Sequence, residues 1–566
     1  MSSLQKYQDL DILIEKANNK FKQKHYSEAL KIYIEIFESN PQQSNSYLLA
    51  QIASCFSLVQ DHQNALAFAG EALKINPNEA NIHFIIGRSL YYQGSLSQAL
   101  LFLESETNVT NIFTLLLPYY KSWIYYRTCS IDKALGEFEL IRNHPELNYY
   151  MHLEYLLMMH HSKNYSDIEI NQFAKSIYNK FLCDQNAKSE ISEYKKKKLL
   201  TIKNNAVKKK IRIGLVSKYL NKNSSDACLV PIFTKLNKDK FEFYTYQLNG
   251  TKDQITEEYE KISNKFTWIS NGDKLKIAKQ IVDDEIDILI DSQGLIIHSS
   301  LEIFALKPAP IQISIFGYWG STGLAEMDYI CIDDPFMDNQ SKDSYSEALV
   351  KLISYHGVKE KNTNSVSPLL SKVNNYIRFG SLNRLHKINA DVIDAWIKIL
   401  QRVNNSRLIL SGEAFQDEKF KSTLIERFTE KNIAKERLEF LPKVSSKDYF
   451  DLYQHIDICL DTFPFNGSST SLDALYAGVP VLTLKQNKYP SHFTSIFLNS
   501  IEESDLINNS VEEYINSAVN LSQDQQKLEY YRQTLRDKIS KTEMLDLDLF
   551  INKFETELEK IYTKAH

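Results

Sequence analysis

The sequence predicts an all-α array of paired helices followed by two α/β domains, each built on a parallel sheet. Residues 10–150 repeat with a period near 34. From Ile211 short apolar strands alternate with amphipathic helical patterns, and this alternation restarts at Tyr376 after the polar stretch 359–375. Because 566 residues exceed what one core can hold, we predict several segments. They are an array (1–150), a helical connector (151–209), a first lobe (210–365), a second lobe (366–510) and C-terminal helices (511–566).

The N-terminal repeat is defined by an alanine that recurs at spacings of 36, 34 and 35 residues. These alanines are Ala29, Ala65, Ala99 and Ala134. An Asn-Pro or His-Pro pair follows three of them, at Pro41, Pro77 and Pro145. A small residue where two helices pack closely, with proline at the end of the unit, is typical of tetratricopeptide repeats. Such arrays present a concave face that binds peptides or proteins, so we expect either a docking site for a protein partner or a packing platform alone.

Composition excludes several classes of function. A net charge of −5 argues against a general nucleic-acid binder, and the Lys195–Lys198 and Lys208–Lys210 runs are typical of a solvated linker. The six cysteines form no CxxC pair, so neither a zinc site nor a disulfide framework is indicated. No apolar run is long enough to span a membrane. We therefore expect a cytoplasmic protein without a membrane span or a nucleic-acid partner.

The two lobes are predicted from their strands. Strands of the first lobe are expected at 211–216, 241–248, 286–290, 311–316 and 329–332, and those of the second at 376–380, 407–410, 438–441, 456–460 and 481–484. Two consecutive doubly wound domains of this kind place the carboxyl ends of their strands on a shared cleft. Residues 511–566 read as two amphipathic helices that pack back on the lobes.

The stretch Asp461–Leu484 predicts an anion site. An apolar strand precedes it, Pro464, Asn466 and Gly467 mark a turn, and three hydroxyl residues typical of a helix N-terminus follow. The hydroxyl residues are Ser468, Ser469 and Thr470. N–H groups at a helix N-terminus lack internal partners, and the helix dipole favours negative charge there. Asp473 lies in the first turns of this helix, where its carboxylate either accepts from ribose hydroxyls or caps the helix.

Seven stretches, in the same order, resemble the O-GlcNAc transferase family, glycosyltransferase family 41. They are IRIGLVS at 211–217, FALKPAPIQ at 304–312, GYWGSTG at 317–323 with MDY at 327–329, YSEAL at 345–349, SLNRLHKI at 381–388, VNNS at 403–406 and LDTFPFNGSST at 460–470. The resemblance covers roughly 300 residues in addition to the array. It implies the architecture of two Rossmann-like domains known as GT-B.

The resemblance implies inverting transfer of GlcNAc, or another hexose, from a UDP-sugar to protein side chains of Ser or Thr. Lys387 would be the cation that stabilises the leaving diphosphate together with helix N–H groups, so that neither a metal nor another cofactor is required. Asn383 and Arg384 would assist Lys387. The remaining donor contacts are expected from Gly320, Thr322, Tyr449, Asn466, Gly467, Ser468, Ser469, Thr470 and Asp473. Tyr449 falls where the family has a base-packing histidine, and Lys447 stands near the position of a family lysine. The acceptors would be proteins or peptides held by the array.

The first lobe departs from the family at the position of a histidine that lies near the acceptor. Asn223 occupies this position, and a neutral Asn cannot act as a general base. Asp226 and Asp287 are the candidate proton acceptors, and proton transfer to the diphosphate itself is the alternative. Three other functions stay open: transfer to Asn side chains, transfer to a surface glycan, and a catalytically weak repeat scaffold that binds a partner.

Overall fold

The computed structural model describes residues 3–39, 45–201, 210–218, 220–221, 229–248, 252–269, 273–297, 299–315, 317–333, 342–352, 366–442, 444 and 448–565. Within these residues the α-helices are, in chain order, α1 Ser3–Lys22, α2 Tyr26–Ser39, α3 Ser46–Leu58, α4 His62–Ile75, α5 Ile82–Tyr92, α6 Leu96–Ser105, α7 Phe113–Arg127, α8 Ile131–Glu139, α9 Tyr149–His161, α10 Asp167–Ile177, α11 Gln185–Thr201, α12 Val230–Lys235, α13 Gln254–Ile262, α14 Lys274–Asp283, α15 Leu301–Phe304, α16 Ser371–Asn374, α17 Ala390–Arg402, α18 Glu418–Thr429, α19 Ser469–Tyr476, α20 Phe493–Ser500, α21 Val511–Gln523, α22 Gln525–Ser540 and α23 Leu547–Ala565.

The strands of the same residues are β1 Ile211–Ser217, β2 Phe241–Gln247, β3 Lys265–Trp268, β4 Ile288–Asp291, β5 Ile311–Ser314, β6 Tyr329–Ile332, β7 Ala348–Lys351, β8 Ile377–Ser381, β9 Ser406–Ser411, β10 Leu438–Leu441, β11 Ile458–Leu460, β12 Val481–Leu484 and β13 Ile507–Asn508. The predicted order, paired helices followed by two sets of parallel strands, is confirmed. No helix of the described residues is long and apolar enough to cross a membrane.

The chain divides into two compact units. The first consists of Met1–Leu147, Arg384–Ala390 and Ser411–Lys443, and the second of Asn148–Asn383, Asp391–Leu410 and Val444–His566. The first unit thus joins the N-terminal array to two segments that the sequence assigns to the second lobe. The domain limits drawn from the sequence stay predictions.

In the first unit, α1 to α8 follow one another as antiparallel pairs whose close contacts are made by small residues. The four alanines of the repeat are fully buried. A side chain at Gly87 of α5 would come within 2.7 Å of the Leu103 Cγ atom and 2.9 Å of the Ala99 carbonyl oxygen on α6. Small residues at these positions therefore let the paired helices approach closely, as the repeat pattern predicts.

In the second unit, one sheet has the strand order β3-β2-β1-β4-β5-β6-β7, with every pair parallel. The change in winding direction between β1 and β4 is typical of a doubly wound domain. Isoleucines on β1, β4 and β5 form the core of one face, where they pack with residues of α23 such as Phe550 and Phe554. The C-terminal helix therefore completes the first lobe.

The other sheet of the second unit runs β9-β8-β11-β12-β13, again with parallel pairs. The loop that begins at Asp461 leaves its strand β11 at the carboxyl edge, which is the edge where ligands bind in open parallel sheets. Tyr514 of α21 is fully buried and donates from its hydroxyl to the Asp461 carbonyl oxygen at 2.9 Å. Among the described residues the C-terminal region holds three α-helices rather than the two predicted, because α22 ends at Ser540 and a separate helix, α23, begins at Leu547.

The connector contributes to the core of the first lobe. Ala187 and Ile191 of α11 pack with Ala278 and Val282 of α14. Gly323 has a φ of +69°, and a side chain there would collide with the backbone of Ala174 on α10. A glycine at this position is thus explained by the approach of α10, since other residues rarely adopt this φ.

Strands β3, β7 and β13 are absent from the sequence prediction. Each lies at the edge of its sheet in the described residues. Edge strands are short and have one side open to solvent, so they carry little of the apolar pattern that identifies central strands.

Candidate active site

The centre of the candidate site is a buried carboxylate that holds the loop between β11 and α19. Asp461 Oδ1 accepts hydrogen bonds from the Gly467 N–H (2.7 Å), the Thr462 N–H (2.9 Å) and Asn383 Nδ2 (3.2 Å). Its Oδ2 accepts from the hydroxyls of Thr483 (2.8 Å) and Thr494 (2.6 Å). Asp461 is 1% exposed. A buried charge of this kind is tolerated because every lone-pair direction meets a donor.

Asn466 and Gly467 form the turn itself. Asn466 is fully buried, and its side-chain amide donates to the Thr462 carbonyl oxygen at 2.7 Å while its backbone N–H donates to Pro490. A side chain at Gly467 would collide with the Ser471 hydroxyl and crowd Asp461 and Asn383. Both residues therefore shape the loop, as the NGSST run predicts, and glycine is required because there is no space for a Cβ atom.

The residues Ser468, Ser469 and Thr470 form the beginning of α19. Ser469 is exposed and its two neighbours are half-buried. Among the described residues no protein acceptor is recorded for the N–H groups of Ser469 and Thr470, and Ser468 makes no side-chain cap. This helix start thus presents polar hydrogens toward its N-terminal side, which is where an anion binds at a helix N-terminus.

Tyr449 lies beside this helix start. Its hydroxyl is 2.9 Å from that of Tyr453, which in turn donates to the Thr470 carbonyl oxygen at 2.8 Å. Burial, with a smaller contribution from the charge of Asp473, raises the pKa of the Tyr449 phenol. Tyr449 is therefore a neutral ring next to the loop and close to Asp473. Its stacking on a base stays a prediction. Lys447 lies outside the described residues.

A pocket opens between the ends of β8 and β11 and the first turn of α19. Its lining residues are Ser381, Leu382, Asn383, Tyr453, Cys459, Leu460, Asp461, Thr470, Ser471, Ala474 and Val481. Asn383 is 5% exposed, and no donor within the described chain pairs with its Oδ1 atom. A buried acceptor without a partner is costly, so this amide is poised to accept a hydrogen bond from a ligand.

The predicted cations Arg384 and Lys387 belong to the first unit. A 3-10 turn, Leu385–Lys387, is closed by the hydrogen bond from the Lys387 N–H to the Arg384 carbonyl oxygen at 2.9 Å. Arg384 is exposed and Lys387 half-buried. Burial and then the charges of Lys387 and Arg384 lower the pKa of His386 to about 3. The two cations thus flank a neutral imidazole.

The GYWGSTG loop differs from the prediction. Thr322 is fully buried, and its N–H and hydroxyl both donate to the Glu347 carboxylate, which also accepts from the Ser321 hydroxyl at 2.8 Å. A side chain at Gly320 would come within 2.9 Å of Tyr318 ring atoms. These contacts join the GYWGSTG and YSEAL motifs into one structural feature. The sugar or phosphate contacts predicted for Thr322 and Gly320 do not fit these surroundings.

Asp287 is also placed away from its predicted role. It precedes β4, and its Oδ2 accepts from the Arg212 N–H at 2.8 Å at the beginning of β1. This is the amino edge of a parallel sheet, whereas substrates bind at the carboxyl edge. Asp287 therefore pairs two strands and is badly placed to accept a proton from the acceptor. Asn223 and Asp226, the other residues of this prediction, lie outside the described residues.

Sequence reasoning missed a junction within the second unit that reaches the loop. Lys488 is 7% exposed, and its ammonium donates to the carbonyl oxygens of Met159 (2.9 Å), His160 (3.2 Å) and Ser162 (2.7 Å) at the end of α9. The neighbouring His161 stacks on Phe465, with ring centroids 4.4 Å apart. Phe465 directly precedes Asn466, so α9 contacts the loop between β11 and α19.

The same phenylalanine is contacted from the first lobe. Trp319 of the GYWGSTG loop meets Phe465 edge-on, with ring centroids 4.8 Å apart. The one sequence signal for this junction is α9 itself, MHLEYLLMMHH at 151–161, which is apolar on nearly every side and so predicts a buried helix rather than a connector.

Two parallel-sheet domains, with an open helix start at the carboxyl edge of one of them, are the arrangement of the Rossmann-like class of nucleotide-binding folds. The model of the family described as Glycosyl transferase family 41 matches residues 158–363 and 369–554, and the chain belongs to that family. The match begins inside α9, in agreement with the packing of the connector on the lobes.

Curated relatives match part of the chain. A probable UDP-N-acetylglucosamine–peptide N-acetylglucosaminyltransferase SPINDLY of Eustoma exaltatum is 33% identical over 288 residues, which are 50% of this chain and 31% of the relative. A probable UDP-N-acetylglucosamine–peptide N-acetylglucosaminyltransferase named SEC, of Arabidopsis thaliana, is 29% identical over 378 residues, which are 64% of this chain and 38% of the relative. The chain thus spans about a third of the length of these relatives.

Among solved structures, a mutant of the Thermobaculum terrenum O-GlcNAc transferase superimposes with a TM-score of 0.67 at 23% identity, covering 100% of this chain and 99% of that one. At this identity the similarity concerns the fold, and it supports the predicted combination of a repeat array with two Rossmann-like domains.

Proposed function

We propose that the protein is an inverting glycosyltransferase that moves GlcNAc, or another hexose, from a UDP-sugar to Ser or Thr side chains of proteins. The observation that carries this proposal is the loop held by Asp461, which presents the open N-terminus of α19 beside the free acceptor of Asn383. Family membership supports the reaction class, and the names of the relatives support UDP-GlcNAc and peptide as substrates.

On the donor side, the diphosphate would lie at the N–H groups of Ser469 and Thr470, with Lys387 as the cation. Negative charge grows on the leaving UDP as the glycosidic bond breaks, and fixed donors aimed at that charge lower the barrier. Asp473 would accept from the ribose, and the neutral ring of Tyr449 would pack on the base. Lys387 with the helix N-terminus would supply the positive charge, so that transfer needs no metal.

On the acceptor side, the array would hold the protein or peptide, and direct displacement would need no covalent enzyme intermediate. The acceptor hydroxyl must lose a proton as it attacks the anomeric carbon. With Asp287 placed at the other edge of the sheet, Asp226 is the remaining candidate of the two, and proton transfer to the diphosphate is the alternative.

The proposal is tested by calorimetric titration of UDP in EDTA. UDP should bind the wild-type protein, and Lys387→Ala should weaken binding by about 1.5–3 kcal/mol, the range for hydrogen bonds to a charged group. Lys398→Ala, which removes an exposed lysine from the neighbouring helix α17, is the matched control and should bind UDP normally. If UDP fails to bind, or binds Lys387→Ala as well as wild type, the enzyme proposal is refuted.

A further inference from the structure

The turn that carries Lys387 rests on the fourth helix pair of the array, and both belong to the first unit. The His386 imidazole stacks on the phenol ring of Tyr126, with centroids 4.8 Å apart and an angle of 13° between the planes. Tyr126 lies in the last turn of α7 and is 2% exposed. The residue next to the proposed diphosphate cation is thus in face-to-face contact with a core residue of the array.

A second contact holds the backbone of the same turn. The Cys129 thiol, in the corner between α7 and α8, donates to the Leu385 carbonyl oxygen at 3.4 Å. Cys129 and Leu385 are 4% and 8% exposed. On its other side the Leu385 side chain fills the space beside Gly412, where a Cβ atom would lie 2.8 Å from the leucine Cδ1 atom. The turn is therefore fixed between the array and the segment that begins at Ser411.

The stacked pair is uncharged at neutral pH. Burial, followed by the charges of Lys387 and Arg384, lowers the pKa of His386 to about 3, and burial raises the pKa of the Tyr126 phenol. The contact therefore involves two neutral rings, of which Tyr126 is buried and His386 half-buried. Aromatic pairs of this kind contribute about 0.5–1.5 kcal/mol beyond the area that they bury.

A further hydrogen bond joins the array to the segment Ser411–Lys443, which also belongs to the first unit. The Ser97 N–H, in the first turn of α6, donates to Asp417 Oδ2 at 2.7 Å. The other oxygen of Asp417 caps α18 by accepting from the N–H groups of Lys419 and Phe420. The array is thus fastened at two places to chain segments that follow the first lobe in sequence.

We propose that Tyr126 is a positioning residue for Lys387: the last helix pair of the array holds the turn from which this lysine reaches the donor diphosphate. The inference rests on the proposed role of Lys387. It gives the array a function in donor binding, in addition to any function in holding an acceptor.

The test compares UDP affinity across a small set of variants. Tyr126→Ala removes the stacked ring and should weaken UDP binding about 2–10-fold, the equivalent of one aromatic contact. Tyr126→Phe keeps the ring and should restore affinity to within about twofold of wild type. Tyr92→Ala is the matched control and should bind UDP like wild type. Tyr92 also stacks on a histidine of the same array, His62, with ring centroids 4.2 Å apart, but it is half exposed.

A double-mutant cycle shows whether Tyr126 acts through Lys387. In a Lys387→Ala background, Tyr126→Ala should cause no further loss of UDP affinity. Full additivity of the two losses, or wild-type affinity in the single Tyr126→Ala variant, would overturn the inference while leaving the enzyme proposal intact. If wild type binds no UDP, both proposals fail.

Hydrogen exchange separates a displaced turn from a general loss of folding. The amides of Lys387 and Ile388 donate to Arg384 and Leu385 at 2.9 Å and hold the turn closed. These two amides should exchange faster in Tyr126→Ala, while the amides of α17 in the same variant keep wild-type rates. In Tyr126→Phe all amides should keep wild-type rates. Unchanged protection of these two amides in Tyr126→Ala would show that the ring does not hold the turn.

Discussion

Asp461→Asn is the substitution that most directly examines the centre of the site. The change keeps the size of the side chain and removes its charge. Among the described residues, five donors reach the two carboxylate oxygens of Asp461. An asparagine can retain one oxygen, and the three N–H donors on the Oδ1 side require it to face them. Its NH₂ group must then face the hydroxyls of Thr483 and Thr494.

The cost follows from these contacts. Both threonine hydroxyls can reverse and accept from the amide, and Thr494 has other acceptors in the Gly467 carbonyl oxygen (3.0 Å) and the Ser471 hydroxyl (2.8 Å). The three N–H bonds remain but lose their charge assistance, which lowers each from about 1.5–3 to about 0.5–1.5 kcal/mol. We therefore expect a loss of about 3 kcal/mol in the free energy of unfolding.

The functional consequence should be specific to this end of the strand. Asp457 lies immediately before β11 and is fully buried, where it accepts from the N–H groups of Arg378 (2.9 Å) and Ser371 (3.3 Å). Asp457→Asn is thus a matched control at the opposite edge of the sheet. Both variants should unfold at lower temperature in calorimetry. Only Asp461→Asn should also bind UDP more weakly, by about 5–10-fold, because the bond from the Gly467 N–H that shapes the loop loses its charge assistance there.

Two results would refute this reasoning. If Asp461→Asn unfolds like wild type, the five hydrogen bonds do not make the carboxylate a structural centre. If Asp457→Asn weakens UDP binding as much as Asp461→Asn does, the loss comes from the stability of the sheet and not from the loop. In either case Asp461 would not be the residue that shapes the anion site.

The remaining predictions concern the junction with α9 and the acceptor side. Burial lowers the pKa of Lys488 from 10.5 to about 8 against the opposing charges of Asp167 and Glu169; between these pH values the unfolded chain binds the extra proton, so stability rises with pH. In urea titrations from pH 7.5 to 10, the unfolding free energy of wild type should therefore increase relative to that of Lys488→Met. If the two unfolding free energies keep a constant difference over this pH range, the lowered pKa of Lys488 is contradicted. Asp226→Asn should lower transfer at least tenfold, since a positioned base typically contributes about 10²–10⁴-fold, with UDP affinity within about twofold. Equal turnover would favour proton transfer to the diphosphate. Asn223→His should raise the rate if the missing histidine limits this chain.

Much of the fold could be predicted because its signals are local. Strands such as Tyr329–Ile332, Leu438–Leu441 and Val481–Leu484 have the predicted limits, since each is a short apolar run with turn residues on both sides. The buried alanines of the array recur at a fixed spacing that one helix pair imposes. Three short edge strands, β3, β7 and β13, were missed because solvent on one side weakens that apolar pattern.

The candidate site could be predicted only where its parts are contiguous. Strand, glycine turn and helix start follow one another within Asp461–Tyr476, and the structure brings them together with Asn383 and Tyr449. Lys488 and His161 carry no such signal, because their roles depend on contacts with residues more than 300 positions away. Thr322 was misread for the same reason, since its partner Glu347 lies in a separate motif.

Because the array contacts the turn of Lys387, deleting the array does not isolate its contribution to acceptor binding. From the sequence alone, a chain without residues 10–150 should keep its affinity for UDP. In the structure such a deletion would remove the ring on which His386 stacks, the thiol bonded to Leu385, and the N–H group bonded to Asp417. The turn of Lys387 would lose its support, so weaker UDP binding is the expected result, and loss of activity after deletion would not identify an acceptor site. Substitutions at exposed residues of the array, such as Tyr92 at 50% exposure, leave that support in place and are the proper test of acceptor recruitment.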